Sequence, residues 1–276
     1  MQEIPIPTVH LFPALEEKLM ELLQSLTPEE WQQQTIASKW KVKDVAAHLL
    51  DGNIRMLSFM RDNYAGDAPE NIQSNEDLIA YLNRLNADFV QAMKRVSPPA
   101  LIELMETTGK QYCQQISKLD PFALAIFPVS WAGEERSVNW FHIAREFTER
   151  WHHQQQIRDA VNKPGIMDRK FYYPVLDTFM QALPYTYRNT NAPENTVVKI
   201  TLSGEAGGDW AMHKKETWQL VENIAQPFTT HVIIDGSIAW KLFTKSWRKE
   251  NAMEHISIKG DASLAAPVLD MVSVMA

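Results

Sequence analysis

The chain of 276 residues contains one cysteine, Cys113. A single thiol can close no intrachain disulfide and build no cysteine-based zinc site, so a reducing, cytoplasmic location is the expectation. Positive charge is also short: 27 Lys and Arg stand against 34 Asp and Glu, for a net charge of -7. The closest approach to a basic run, KLFTKSWRK from Lys241, is brief and local, which argues against a nucleic-acid partner. No stretch of about 18 apolar residues is present, so no membrane-spanning helix is expected. The first fifteen residues hold three prolines and no apolar run behind a basic start, unlike a signal peptide.

What is present is an ample apolar supply, 45% of residues, enough for two modest domains or one large one. Nine tryptophans and seven tyrosines read as core or cleft lining. Leu15, Leu19, Leu22, Leu23 and Leu26 mark a first helix by their period. Thr27 and Glu30 read as a capping pair for a short turn of helix, and a second long helix runs from near Val42 to about Asn63. Ser74 and Asp77 cap a third helix, ended by Pro98 and Pro99, and a fourth starts near Ala100. Residues 120–137 read as an irregular or short extended segment. A break at Asn162, Lys163, Pro164 and Gly165 suggests a domain boundary, giving a helical domain over 1–165 and a smaller α+β domain over 166–276.

In the second part, 171–187 reads as a connecting helix. NTVVKITLSG, KETWQLVE, FTTHVIID and HISIKGD read as strands, GSIAWKLFTKS and the closing SLAAPVLDMVSVMA as helices. GEAGGD at 204–209 fits neither phosphate-binding glycine pattern and reads as a hairpin connection.

The helix expected over Asn139–Val161 organises the rest. At about 100° per residue, His142, Glu146, Glu149, His153 and Gln156 fall within an arc of about 80°. Opposite them Trp140, Ile143, Phe147 and Trp151 form an apolar face that gives way to Arg150, Gln154 and Arg158. A helix this polar on so many sides lies between domains or carries a site. Glu149 and His153 are four residues apart, so a carboxylate oxygen and an imidazole nitrogen can converge as metal chelators or simply hydrogen-bond each other. His48, on the inward face of the second helix, is the best third ligand, the alternative being a satisfied core histidine. His152 points about 100° away from His153 and is set aside on that ground.

The stretch WKVKDVAAH (40–48), followed about 100 residues later by TERWHHQQQIRDA, resembles the DinB-like bundle family in its maleylpyruvate isomerase N-terminal-domain branch. GEAGGDW, AWKLFTKS and IKGDASLAAPVLDMVSVMA resemble the sterol-carrier-like domain that follows the bundle in mycothiol-dependent isomerases. The resemblance implies an α-helical bundle, DinB-like and four-helix, followed by a smaller α+β sterol-carrier-like domain. It implies a divalent metal, zinc above others, held by His48, Glu149 and His153. It further implies a low-molecular-weight thiol, of mycothiol, bacillithiol or glutathione type, that binds zinc as thiolate and attacks a small electrophile. An adduct that rotates and expels the thiol gives cis-trans isomerisation; one that is kept gives S-transfer.

Two neutral imidazoles and a carboxylate would leave the ion an open position, as in catalytic zinc sites. Arg55 could hold a carboxylate of an anionic substrate or pair with Asp51 one turn before it. His142 and Glu146 extend the polar stripe, Glu146 being the general-base candidate should a bound water act instead. Mycothiol-dependent members bring an arginine of the C-terminal domain to the active site, and the nearest equivalents here are Lys245 and Arg248. The rival readings are a non-catalytic metal- or apolar-ligand-binding protein and a metal-dependent hydrolase with the same ligands. Monomer and homodimer stay open.

Overall fold

The computed structural model describes residues 2–67, 72–221 and 227–274. Contacts divide the chain into two compact units that are not contiguous in sequence. A helical unit comprises residues 8–120 and 149–166, and a sheet unit comprises residues 1–7, 121–148 and 167–276.

In the helical unit, α1 (Phe12–Gln24), α2 (Val42–Met56), α3 (Asn75–Met93) and α4 (Pro98–Ile116) are joined by the later half of α5 (Asn139–Val161). Their starts follow local chemistry. Asp44 Oδ2 accepts from Lys41 N–H at the head of α2 (3.0 Å), and Ser74 and Asp77 cap α3 reciprocally at 3.1 and 3.0 Å. The same exchange links Thr27 and Glu30, though it opens only a 3₁₀ turn. The helix expected to reach Asn63 keeps α-helical bonding only to Met56 and continues as a π turn over Leu57–Arg61, with Asn63 in the left-handed region at φ 53°.

The bundle core is one apolar cluster: Leu19, Leu22 and Leu23 of α1, Val42, Val45, Ala46, Leu49 and Leu50 of α2, Leu101 and Met105 of α4, and Ile157 and Val161 of α5. Each fully buried aliphatic side chain stabilises the fold by about 1.5–3 kcal/mol relative to exposure, so this cluster dominates the unit. Phe89 and Met93 bring α3 against it.

The sheet unit holds α6 (Arg169–Met180), α7 (Leu183–Tyr187), β1 (Val197–Ser203), β2 (Gly208–Lys214), β3 (Trp218–Val221), β4 (Thr230–Asp235), α8 (Gly236–Phe243), α9 (Lys249–Ala252), β5 (Ile256–Gly260) and α10 (Ala262–Asp270). Strand order is β3-β2-β1-β4-β5, with β1 and β4 parallel and every other pair antiparallel. Alternation sends Val198, Ile200, Leu202, Val232 and Ile234 inward, where α8 packs on β1 and β4 and α10 on β4. The bundle with its mixed α+β companion is the fold class expected from the sequence.

Three details differ from expectation. A fifth strand, β2, was missed because GDWAMHK carries little β-branched character; the GEAGGD turn does connect it to β1 as a hairpin. There a Cβ on Gly207 would lie 1.9 Å from Leu202 O, so only glycine fits. The connecting helix starts at Arg169, capped by Asp168 (3.1 Å to Phe171 N), and divides into α6 and α7. The closing helix stops at Asp270, where Met271 turns extended.

Candidate functional site

Helix α5 is the polar helix of the sequence, yet in the fold Asp159 is its one exposed residue. Arg150, His152, Gln154, Gln155, Gln156 and Arg158 are all buried, so their polar atoms need partners inside the protein.

One group of partners is closed. Arg150 Nη1 donates to Asn53 Oδ1 (2.7 Å), its Nη2 donates to Glu16 Oε2, and its guanidinium carbon stands 4.3 Å from the Tyr112 ring centroid. Asn53 in turn donates to Thr108 Oγ1 at 3.0 Å. The network ties α1, α2 and α4 to α5. Gly109 makes room for it, since a Cβ there would lie 2.1 Å from Glu16 Oε1.

The neighbouring group has a different character. Glu149 Oε2 and His153 Nε2 stand 3.6 Å apart, one helical turn along α5. The His48 ring from α2 meets the His153 ring edge-on, centroids 4.6 Å apart. Trp40 covers both, at 4.7 Å from His48 and 6.2 Å from His153. The loop carrying Trp40 is pinned, because its carbonyl accepts from Gln34 Nε2 (2.8 Å) and Thr35 Oγ1 (2.7 Å).

His48 Nδ1 is buried with no hydrogen-bond partner. Burial first, then the charges of His153, Arg55 and His152, hold its pKa well below the usual imidazole value. It is therefore a neutral ring with a lone pair to offer. His153 Nδ1 lies 3.0 Å from Gln156 Oε1, an acceptor, which puts the ring proton on Nδ1 and leaves Nε2 facing the Glu149 carboxylate. Two imidazoles and a carboxylate, one of them an orphaned buried nitrogen, form a donor set that fits a divalent first-row ion such as zinc.

His152 lies closer to this group than its position on the helical wheel suggests. Its ring lies 5.2 Å from that of His153, and Glu149, His152 and His153 each bring a ligand atom within 4.8 Å of the other two. A helical wheel gives Cβ directions, and an imidazole swings several ångströms beyond Cβ. Burial, then His153, holds the His152 pKa well below the ordinary value. Its Nε2 lies 3.1 Å from Gln156 Nε2.

The remaining candidates are placed as follows. Arg55 Nε lies 3.1 Å from Asp51 Oδ2, and its Nη2 donates to Asn86 Oδ1 at 3.3 Å. Burial raises the Asp51 pKa, with Arg55 opposing. Glu146 accepts from Arg145 Nη2 at 2.6 Å, and the same nitrogen lies 2.8 Å from His142 Nδ1. Lys245 and Arg248 are exposed in the turn between α8 and α9 of the sheet unit, Lys245 in the left-handed region at φ 56°.

The sequence profile described as the mycothiol maleylpyruvate isomerase N-terminal domain matches residues 12–158, more than half of the chain. The chain belongs to this family. Among solved structures it is similar to crystal structures of the mycothiol-dependent maleylpyruvate isomerase and of a point mutant of that protein. TM-scores are 0.52 and 0.55 and identities 11% and 10%, and each match covers 95% of this chain and 98% of the other. At such identities the likeness speaks for the fold alone. A sterol carrier protein domain 2 from Helicoverpa armigera overlays 37% of this chain and 80% of its own at a TM-score of 0.24 and 17% identity, too slight a likeness to carry weight. No curated protein matches. Among the described residues no helix is long and apolar enough to cross a membrane.

Proposed function

We propose that this family member is a divalent-metal enzyme, zinc-dependent, that uses a low-molecular-weight thiol to isomerise or S-modify a small electrophile. His48, Glu149 and His153 are the residues that would hold the ion. The observation that carries the reading is the nearness of three donors from α2 and α5: His48 Nδ1 is buried and unpartnered, its ring lies 4.6 Å from that of His153, and His153 Nε2 lies 3.6 Å from Glu149 Oε2. A divalent ion held there supplies Lewis acidity that brings the pKa of a thiol toward neutrality.

The chain's own residues divide the remaining work. Trp40 shields the two imidazoles from one side, which strengthens every charge interaction at the site. Arg55 keeps a fixed cation near His48 through Asp51 and Asn86, suited to an anionic substrate group. Glu146 shares its proton-accepting oxygen with Arg145, which makes it a poor general base and favours a thiol over an activated water as nucleophile. Cys113 is not that thiol: burial pushes its pKa up to about 11.

Elemental analysis of the purified protein tests the ion, with about one zinc per chain expected. A panel of mycothiol, bacillithiol and glutathione with a cis-configured unsaturated acid tests the chemistry. Thiol-dependent loss of the cis isomer, abolished by chelator, is the expected result; a zinc-loaded protein inert with every thiol would overturn it.

A further inference from the structure

Three consecutive glutamines follow the two histidines on α5, and they are not equivalent. Gln154 Nε2 and Gln155 Oε1 are buried without hydrogen-bond partners, whereas Gln156 uses both ends of its amide. Its Oε1 lies 3.0 Å from His153 Nδ1 and its Nε2 lies 3.1 Å from His152 Nε2. An amide has one accepting end and one donating end, so it makes opposite demands on the two rings.

We infer that Gln156 selects which of two adjacent histidines can serve the ion: it fixes His153 with its proton on Nδ1, so that Nε2 is the ligand atom beside Glu149, and withholds His152 by donating to that ring's Nε2. The inference rests on the metal-dependent reading above and adds a positioning residue to it. Geometry alone leaves a choice, since His152 and His153 both bring a nitrogen within 4.8 Å of the Glu149 carboxylate.

The opposite amide orientation fits less well. It would make His153 an acceptor at Nδ1 and place its proton on Nε2, aimed at Glu149 Oε2 across 3.6 Å, too long for a hydrogen bond. In the orientation seen, the His153 Nδ1 proton has Gln156 Oε1 as its acceptor and His153 Nε2 keeps its lone pair. His152, donated to at Nε2, carries its proton on Nδ1 and has neither nitrogen ready as a ligand. Gln156 is itself buried, so no bulk water replaces the amide if it turns.

The first test needs no metal and no variant. Long-range ¹H–¹⁵N spectra of the histidine-labelled apo full chain should show both His152 and His153 with the proton on Nδ1. His153 protonated on Nε2 would overturn the inference. The second test titrates Zn²⁺ against a chromogenic chelator. Gln156→Leu should mix the tautomers of both rings and weaken Zn²⁺ binding by roughly 10- to 100-fold, the range for residues that orient ligands. Gln156→Glu keeps an acceptor for His153 but removes the donor to His152. It should hold Zn²⁺ affinity within a few fold of wild type while moving the His152 proton to Nε2. Wild-type affinity in Gln156→Leu would overturn the inference. Should Gln156→Leu fail to fold, the apo wild-type spectrum and Gln156→Glu still decide. A wild type with the stated tautomers that binds no Zn²⁺ upholds the role of the amide and removes the metal reading instead.

Discussion

Two polar groups stand one residue apart on α5, and they are finished in opposite ways. At Arg150 a guanidinium meets Glu16, Asn53 and the Tyr112 ring, so cation, anion and amide answer one another within the fold. At Glu149 a carboxylate oxygen faces an imidazole lone pair, and a second imidazole keeps an unpartnered nitrogen buried beside them. Both are polar and both join α5 to α2, but the Arg150 and Glu16 side chains are buried whereas those of Glu149 and His153 are 29% and 14% exposed. The difference lies in the sign of what is gathered. A set holding both donors and acceptors stabilises itself, whereas a set of acceptors alone is stable with a cation among them.

Breaking the closed group should cost the most in folding. Arg150→Met would leave the Glu16 carboxylate buried and unpaired, lowering stability by about 3–5 kcal/mol in apo protein, measured by denaturant unfolding. A loss below 1 kcal/mol would mean the network is not what holds the helices. His153→Ala inverts the pattern: little change in apo stability, but a fall in Zn²⁺ affinity beyond the roughly 100-fold that supporting residues control, read by chelator competition. Equal zinc content in mutant and wild type would remove the assigned ligands. Gly109→Ala sharpens the comparison from the other side. The added methyl must displace Glu16 from Arg150, at a cost of about 1–3 kcal/mol, with Zn²⁺ binding unchanged. The smallest effect is expected at Cys113. With its pKa near 11, the thiol stays protonated at neutral pH, so alkylation should be slow at pH 7 and quicken steadily toward pH 11. Rapid labelling at pH 7 would contradict that burial.

Much of this was legible in the residues. The limits of α5 follow from its period and from the break at Asn162–Gly165, and the caps at Ser74 and Thr27 follow from local side-chain chemistry. The spacing of Glu149 and His153 shows the pair, and the inward face of α2 shows His48. Other parts were hidden for physical reasons. β2 is held by pairing on both of its edges, with β1 and β3, and so needs little propensity of its own. His152 was misplaced because a wheel ignores side-chain reach. Arg150 looked like a lapse in an apolar face. The clue to its partner was Glu16, a carboxylate beside Leu15 within the apolar period of α1, but nothing in the sequence joins residues 134 positions apart.

The way the two units share the chain bears on how it is made. A ribosome releases residues 8–120 first, yet their core lacks Ile157 and Val161 until the second half of α5 emerges. Residues 1–7 and 121–148 wait longer still, for strands that begin at Val197. The helical unit cannot close until residues 121–148 of the sheet unit and its own residues 149–166 have been made, so up to that point the nascent chain carries two unfinished cores at once, an interval in which apolar surface stays uncovered and chaperone binding is favoured.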